Sequence, residues 1–230
     1  LAKEIKISHF IYSSSVAVYG SSSKKKITES SKIKPDSIYG ISKYVGEMFI
    51  KQVLEKTNIK TTIFRIFNTY GPGENLNFLK KGMVSIYCSY LWRNKPIIVK
   101  GSLKRFRNYQ FIDDVVNILV KSILNKKLKK NEIFNLTTGK SIKVGELIKS
   151  ILKINKIKKY KIIVKKKGTP GDSFGFNATD SYLKKKFSNY KFSSIDEGLQ
   201  KYFRWINKVP RTKSISNYHP LKLNKDKLKN

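Results

Sequence analysis

Apolar positions in this chain recur with two different periods, and the switches between them lay out alternating strands and helices. Residues 9–14 (HFIYSS) form a short apolar run ending in small hydroxyl side chains, the mark of a buried strand. Residues 20–37 are polar, rich in Lys and Ser, and contain Pro35, so they predict a loop. From about 37 to 56 the period becomes helical, with apolar positions at Ile38, Ile41, Val45, Met48, Phe49, Val53 and Leu54. Asp36 or Ser37 is its expected N-cap. The β-branched and aromatic stretch 61–67 (TTIFRIF) predicts the next strand, and Gly71-Pro72-Gly73 breaks the chain after it.

Further on, the pattern predicts a helix at about 79–93 and strands at 97–99 and near 109–112. A helix at 113–125 follows, with Asp113 or Asp114 at its N-terminus, where negative charge is favoured. Then come a strand at 132–136, a helix at 144–154, a strand at 161–164 and an amphipathic helix at 195–207. Residues 209–230 are polar and basic with little periodicity and are expected to form a loose tail. Strands alternating with helices define an α/β protein with a largely parallel sheet.

Composition narrows this only slightly. Hydrophobic residues make up 40% of the 230, enough for a real core. No apolar run reaches 18 residues, so no membrane span or membrane partner is expected. The chain opens on Leu1 rather than Met, so targeting cannot be fully judged from it. A lone cysteine, Cys88, forms no internal disulfide and fits a cytoplasmic location. The net charge of +34 invites a nucleic-acid reading. Yet of the 49 basic residues only six are arginine, and the lysines scatter over most polar segments. That is the look of compositional bias, and no nucleic-acid partner is expected.

Three segments carry candidate chemistry. Ser13-Ser14-Ser15-Val16-Ala17-Val18-Tyr19-Gly20 closes the first strand, Tyr39-Gly40-Ile41-Ser42-Lys43 opens the first helix, and Arg65-Ile66-Phe67-Asn68-Thr69-Tyr70-Gly71-Pro72-Gly73 closes the second strand. Tyr39 and Lys43, four apart on a helix, project from one face. A free phenol ionises near pH ~10, and a neighbouring ammonium favours the phenolate. A hydroxyl such as Ser15 can hold the same alcohol for proton transfer. Together the three suit moving a proton on or off a sugar alcohol while a hydride leaves or returns to carbon. His9 and His219 are expected to be structural or exposed.

On these residues the chain resembles the extended short-chain dehydrogenases/reductases acting on nucleotide sugars, especially UDP-glucose 4-epimerase-like enzymes, from about residue 9 to 207. The resemblance implies NAD as cofactor and Ser15, Tyr39 and Lys43 as the catalytic set. It implies NAD contacts from Ser13, Ser14, Tyr39, Lys43 and Phe67. Substrate contacts are expected from Ser15 and Asn68, the latter holding the diphosphate. The segment 101–115 looks like the family's R-D-Y/F-x-x-x-x-D-V stretch, which puts Arg107 on the pyrophosphate, and Ile98 and Lys100 are expected near the base. Thr169-Pro170-Gly171-Asp172 resembles a substrate-domain turn.

The expected architecture is the C-terminal part of a Rossmann-type parallel sheet plus a small α/β substrate-binding domain. Residues 1–75 and 108–138 are assigned to the first, 76–107 and 139–208 to the second, and 209–230 to the tail. Val16 and Ala17 follow Ser15, where related 4,6-dehydratases and decarboxylases place an acid. The expected reaction is therefore 4-epimerisation of a UDP-hexose. UDP-N-acetylhexosamine or UDP-glucuronate epimerisation, or an inactive member of the scaffold, are the alternatives. No G-x-x-G-x-x-G occurs in the 230 residues. About the first hundred residues of a usual family member are thus expected to be missing, leaving an exposed sheet edge and apolar face and little activity. A homodimer through the Tyr39 helix is expected for the full-length protein.

Overall fold

The computed structural model describes residues 7–21, 26–79, 82–168 and 174–210. Its central feature is a parallel sheet of three strands in the order β1 (His9–Ser15), β2 (Lys60–Ile66), β7 (Glu132–Leu136). In register, Ser14 lies opposite Arg65 and Arg65 opposite Asn135. The last residues of the three strands, Ser15, Ile66 and Leu136, likewise align.

Side-chain alternation splits this sheet into two faces. On one, Ile11, Phe64, Phe134 and Leu136 pack with Val115 and Ile118 of α3 (Ile112–Leu124), and Leu183 and Phe187 close the cluster. On the other, Phe10 and Tyr12 pack against Ile50 and Leu54 near the end of α1 (Ile38–Leu54). Ser37 caps α1, its Oγ accepting the Gly40 N–H at 3.0 Å. Asp36 takes a different part, accepting the Ser21 N–H at 2.8 Å across the loop.

A second, larger core gathers α2 (Met83–Trp92), β4 (Ile97–Lys100), α4 (Val144–Ile154) and α6 (Ile195–Ile206) around Tyr70, Tyr109 and Phe111. These last come from β3 (Asn68–Tyr70) and β6 (Tyr109–Phe111), a short parallel pair. Tyr70, Leu147, Ile151, Leu199 and Tyr202 are all buried there. At roughly 1.5–3 kcal/mol for each such side chain, this cluster can sustain its own core. β4 pairs in parallel with β9 (Ile162–Lys165), while β5 (Phe106–Arg107) pairs antiparallel with β8 (Ile142–Lys143).

Several sequence expectations change. The helix expected from 79 begins at Met83, because Gly82 turns the chain with φ 73°. β3, β5 and β8 are two or three residues long, too short to show a period, and α5 (Ser181–Lys186) buries a single residue, Leu183. Asp114 accepts bonds from the Tyr190 hydroxyl (2.7 Å) and the Ser193 N–H (3.0 Å), tying α3 to the segment leading into α6. His9 opens β1, its Nε2 2.9 Å from the Thr62 hydroxyl. The Thr169–Asp172 turn, His219 and the tail beyond residue 210 lie outside the described residues. No helix among them is long and apolar enough to cross a membrane.

Candidate active site

The residues singled out for chemistry meet where the parallel strands end. That is where open α/β sheets bind ligands, because the loops leaving the strands diverge there. Ser13, Ser14 and Ser15 finish β1, and the chain then turns through one short 3-10 segment, Val16–Tyr19. The Ser15 hydroxyl accepts the Ala17 N–H at 3.3 Å, which orients it at the strand tip. Phe67, buried, and Asn68, half-buried, follow β2 directly.

α1 is pressed against that 3-10 segment. A Cβ on Gly40 would stand 2.5 Å from the Ala17 carbonyl oxygen, so only glycine allows so close an approach beside Tyr39. Tyr39 itself is 55% exposed. One turn later, Lys43 donates from Nζ to the Ser13 carbonyl at 2.8 Å and sits 5.8 Å from the Tyr39 ring centre. Its ammonium also lies over the Tyr12 ring at 5.4 Å. The structure therefore gathers Ser13, Ser15, Tyr39 and Lys43 at one strand end. Burial, helped by Glu47 and Tyr39, pushes the Tyr12 phenol up, so it stays neutral beside them.

The substrate-side candidates are placed as follows. Asn68 donates from Nδ2 to the Asn108 carbonyl at 3.3 Å, linking the start of β3 to the junction between β5 and β6, next to Arg107. Arg107 is buried, donating from Nη1 to the carbonyls of Phe106 (2.7 Å) and Phe174 (3.1 Å), with its guanidinium over Phe176. Ile98 and Lys100 occupy alternate positions of β4, half-buried and exposed respectively. Next to Arg107, the side-chain amides of Asn108 and Gln110 are buried with no hydrogen-bond partner at either atom.

Sequence reasoning missed a buried ion pair behind the site. Glu47 and Arg65, each 4% exposed, meet with Arg65 Nη2 2.7 Å from Glu47 Oε2 and Nε 3.0 Å from Oε1. Burial works against the Arg65 cation, but Glu47 and Tyr19 outweigh it and hold its pKa above the usual value. The available signal was spacing: Glu47, one of only 15 acidic residues, follows Tyr39 and Lys43 at the same four-residue interval. Glu47 and Arg65 themselves help line a cavity of about 330 Å³, together with Tyr44, Met48, Ile63 and Ile133, and none of Ser15, Tyr39 and Lys43 lines it.

Comparison with known proteins bears on the family and the fold. The family model for GDP-mannose 4,6 dehydratase matches residues 1–196. A human dTDP-D-glucose 4,6-dehydratase is 31% identical over 155 residues, covering 67% of this chain and 43% of that protein. The chain thus spans less than half the length of that curated relative. The UDP-glucose 4-epimerase of Thermotoga maritima, solved with UDP-glucose, superposes with a TM-score of 0.78 at 28% identity, covering 88% of this chain and 64% of that one. The UDP-glucuronic acid 4-epimerase of Bacillus cereus, solved with UDP-glucuronic acid and NAD, shares the fold with a TM-score of 0.79 at 24% identity, covering 89% and 63%. With the family match running from the first strand into the last helix, the chain belongs to the GDP-mannose 4,6 dehydratase family of extended short-chain dehydrogenases/reductases.

Proposed function

We propose that the chain is the catalytic and substrate-binding part of an NAD-dependent nucleotide-sugar 4-epimerase of the UDP-glucose/UDP-galactose type. One observation carries the reading: Tyr39 stands open to solvent at the strand end, with Lys43 anchored beside it on the Ser13 carbonyl and the Ser15 hydroxyl at the same strand tip. On this reading the Tyr39 oxygen accepts the sugar 4-hydroxyl proton and later returns it. Ser15 hydrogen-bonds the same oxygen, and Lys43 stands beside Tyr39 while reaching the cofactor's ribose. NAD, when bound, accepts and returns the C4 hydride. The exposed Tyr39–Lys43 pair fits the nicotinamide end of such a cofactor, with Ser13, Ser14 and Phe67 beside it. Asn68 and Arg107 are assigned to the substrate diphosphate, and Ile98 and Lys100 to the base.

In the same reading, the three-stranded sheet with α1 and α3 belongs to the cofactor domain, and the core around α2, α4 and α6 to the substrate domain. α1 turns Ile41, Val45, Met48 and Phe49 outward, which supports a homodimer formed through this helix. The 230 residues alone hold no glycine-rich phosphate cradle, so little turnover is expected from them in isolation.

The family description and the human relative favour a second reading, 4,6-dehydration. Dehydration needs a further acid and base beyond the oxidising set, and Val16 and Ala17 supply neither. Incubating the enzyme from its complete reading frame with UDP-glucose separates the two. Epimerisation gives UDP-galactose at equilibrium, whereas a 4-keto-6-deoxy sugar as main product overturns the proposal.

A further inference from the structure

The Glu47–Arg65 pair sits within a polar row that crosses the whole sheet one residue before the strands end. Ser14, Arg65 and Asn135 are register partners on β1, β2 and β7. Ser14 donates from Oγ to Glu47 Oε1 at 2.5 Å. Arg65 donates its remaining nitrogen, Nη1, to the Tyr19 hydroxyl (2.9 Å) and the Glu29 carbonyl (3.1 Å). Tyr19 in turn donates to Asn135 Oδ1 at 2.7 Å, and the Asn135 N–H reaches the Glu29 carboxylate at 2.9 Å. Six chain segments thus meet in the network around one buried ion pair: β1, the 3-10 turn after Ser15, the loop at Glu29, α1, β2 and β7.

A buried pair of this kind is a poor source of stability, because the cost of removing both charges from water offsets most of their attraction. Its geometry offers something else. Glu47 lies two helical turns beyond Tyr39 and one beyond Lys43, on their face of α1. It is bonded to Ser14, the neighbour of both Ser13, which holds Lys43, and Ser15. The pair therefore fixes α1 along its axis and in rotation against the strand tip that carries the other hydroxyl.

We infer that Glu47 and Arg65 are positioning residues for the Tyr39–Lys43–Ser15 set, acting through the Ser14 and Tyr19 links rather than by touching substrate. The inference rests on the catalytic reading above. It assigns a role to a fork geometry, not to charge as such, since the pair is neutral overall. Removing both charges at near-constant volume should leave the fold standing while freeing the helix to shift.

The test is the double variant Glu47→Gln/Arg65→Met, alongside Lys43→Met and, should the double variant not fold, Tyr19→Phe, which cuts the Arg65–Tyr19–Asn135 link. In the enzyme from its complete reading frame, kcat and KM are measured separately. Positioning predicts kcat lowered on the order of tenfold to hundredfold with KM little changed. Tyr19→Phe should lower kcat in the same way but by less. A double variant that folds and leaves kcat unmoved overturns the inference. If Lys43→Met also leaves kcat unmoved, it is the catalytic reading that fails.

Discussion

Gly40 and Ala17 touch so closely that a single added carbon on Gly40 would lie 2.5 Å from the Ala17 carbonyl oxygen. This contact sets the first turn of α1, and with it Tyr39, against the turn that follows Ser15. The obstacle is backbone, which cannot swing aside as a side chain tip could. Gly40→Ala is expected to destabilise the protein by about 1–3 kcal/mol in urea unfolding. Gly145→Ala is the control: its Cβ meets only ordinary contacts at 3.6 Å, so it should be neutral or slightly stabilising. Equal effects from the two would deny the contact its role.

Glu74 makes stability depend on pH in the unusual direction. Burial pushes its carboxyl up to about 7, against the opposing hydrogen bonds from Tyr202 and the Gly71 backbone. The Tyr202 hydroxyl lies 3.2 Å from Glu74 Oε2 and 3.1 Å from Ser85 Oγ. Because the folded carboxyl holds its proton more tightly than the unfolded one, its stabilisation is complete below the unfolded value of about 4.5. It is lost as pH rises through about 7. Glu74→Gln, neutral throughout, should be more stable than the parent at pH 8 by roughly 1–2 kcal/mol once solvent screening is allowed for. Near pH 4.5 the two should differ little. Identical pH slopes in parent and variant would contradict the assignment.

Gln110 carries an unpartnered amide in the interior beside Arg107. Replacing it with methionine, similar in volume and apolar, removes the desolvation cost and should stabilise the protein by about 1 kcal/mol. Thermal unfolding measures this. A lower melting temperature in Gln110→Met would show that the amide is satisfied in solution.

The Ser37 cap is a local determinant of the site because α1 starts there. Ser37→Ala should cost about 1 kcal/mol in denaturant unfolding. Ser37→Asp, which restores an acceptor for the Gly40 N–H, should recover most of it. Failure of aspartate to rescue would mean that the hydroxyl contributes through something other than capping.

Much of the fold was legible because long elements carry their period openly. The strand at Glu132–Leu136 and the helix at Val144–Ile154 have the bounds expected from pattern alone. Tyr39 and Lys43 could be paired from spacing, since a helix converts a four-residue interval into adjacency. The Glu47–Arg65 pair could not, because it joins a helix to a strand 18 residues away through a register that only strand pairing defines. Likewise the bond between Asn68 and Asn108 depends on β3 lying beside β6, and β3, three residues long, is too short to show a period. Nor does the pattern of Lys-rich residues 181–186 show that Leu183 and Tyr182 fasten α5 against the sheet, Tyr182 stacking on Phe134.

The central claim is that Tyr39 handles the sugar proton, and Tyr39→Phe tests it most directly. In the enzyme from its complete reading frame, interconversion of UDP-glucose and UDP-galactose is followed by NMR and UDP-sugar binding by calorimetry. The account predicts kcat lowered about 10²–10⁴-fold with binding affinity essentially retained. A Tyr39→Phe enzyme that turns over at close to the parent rate would contradict it.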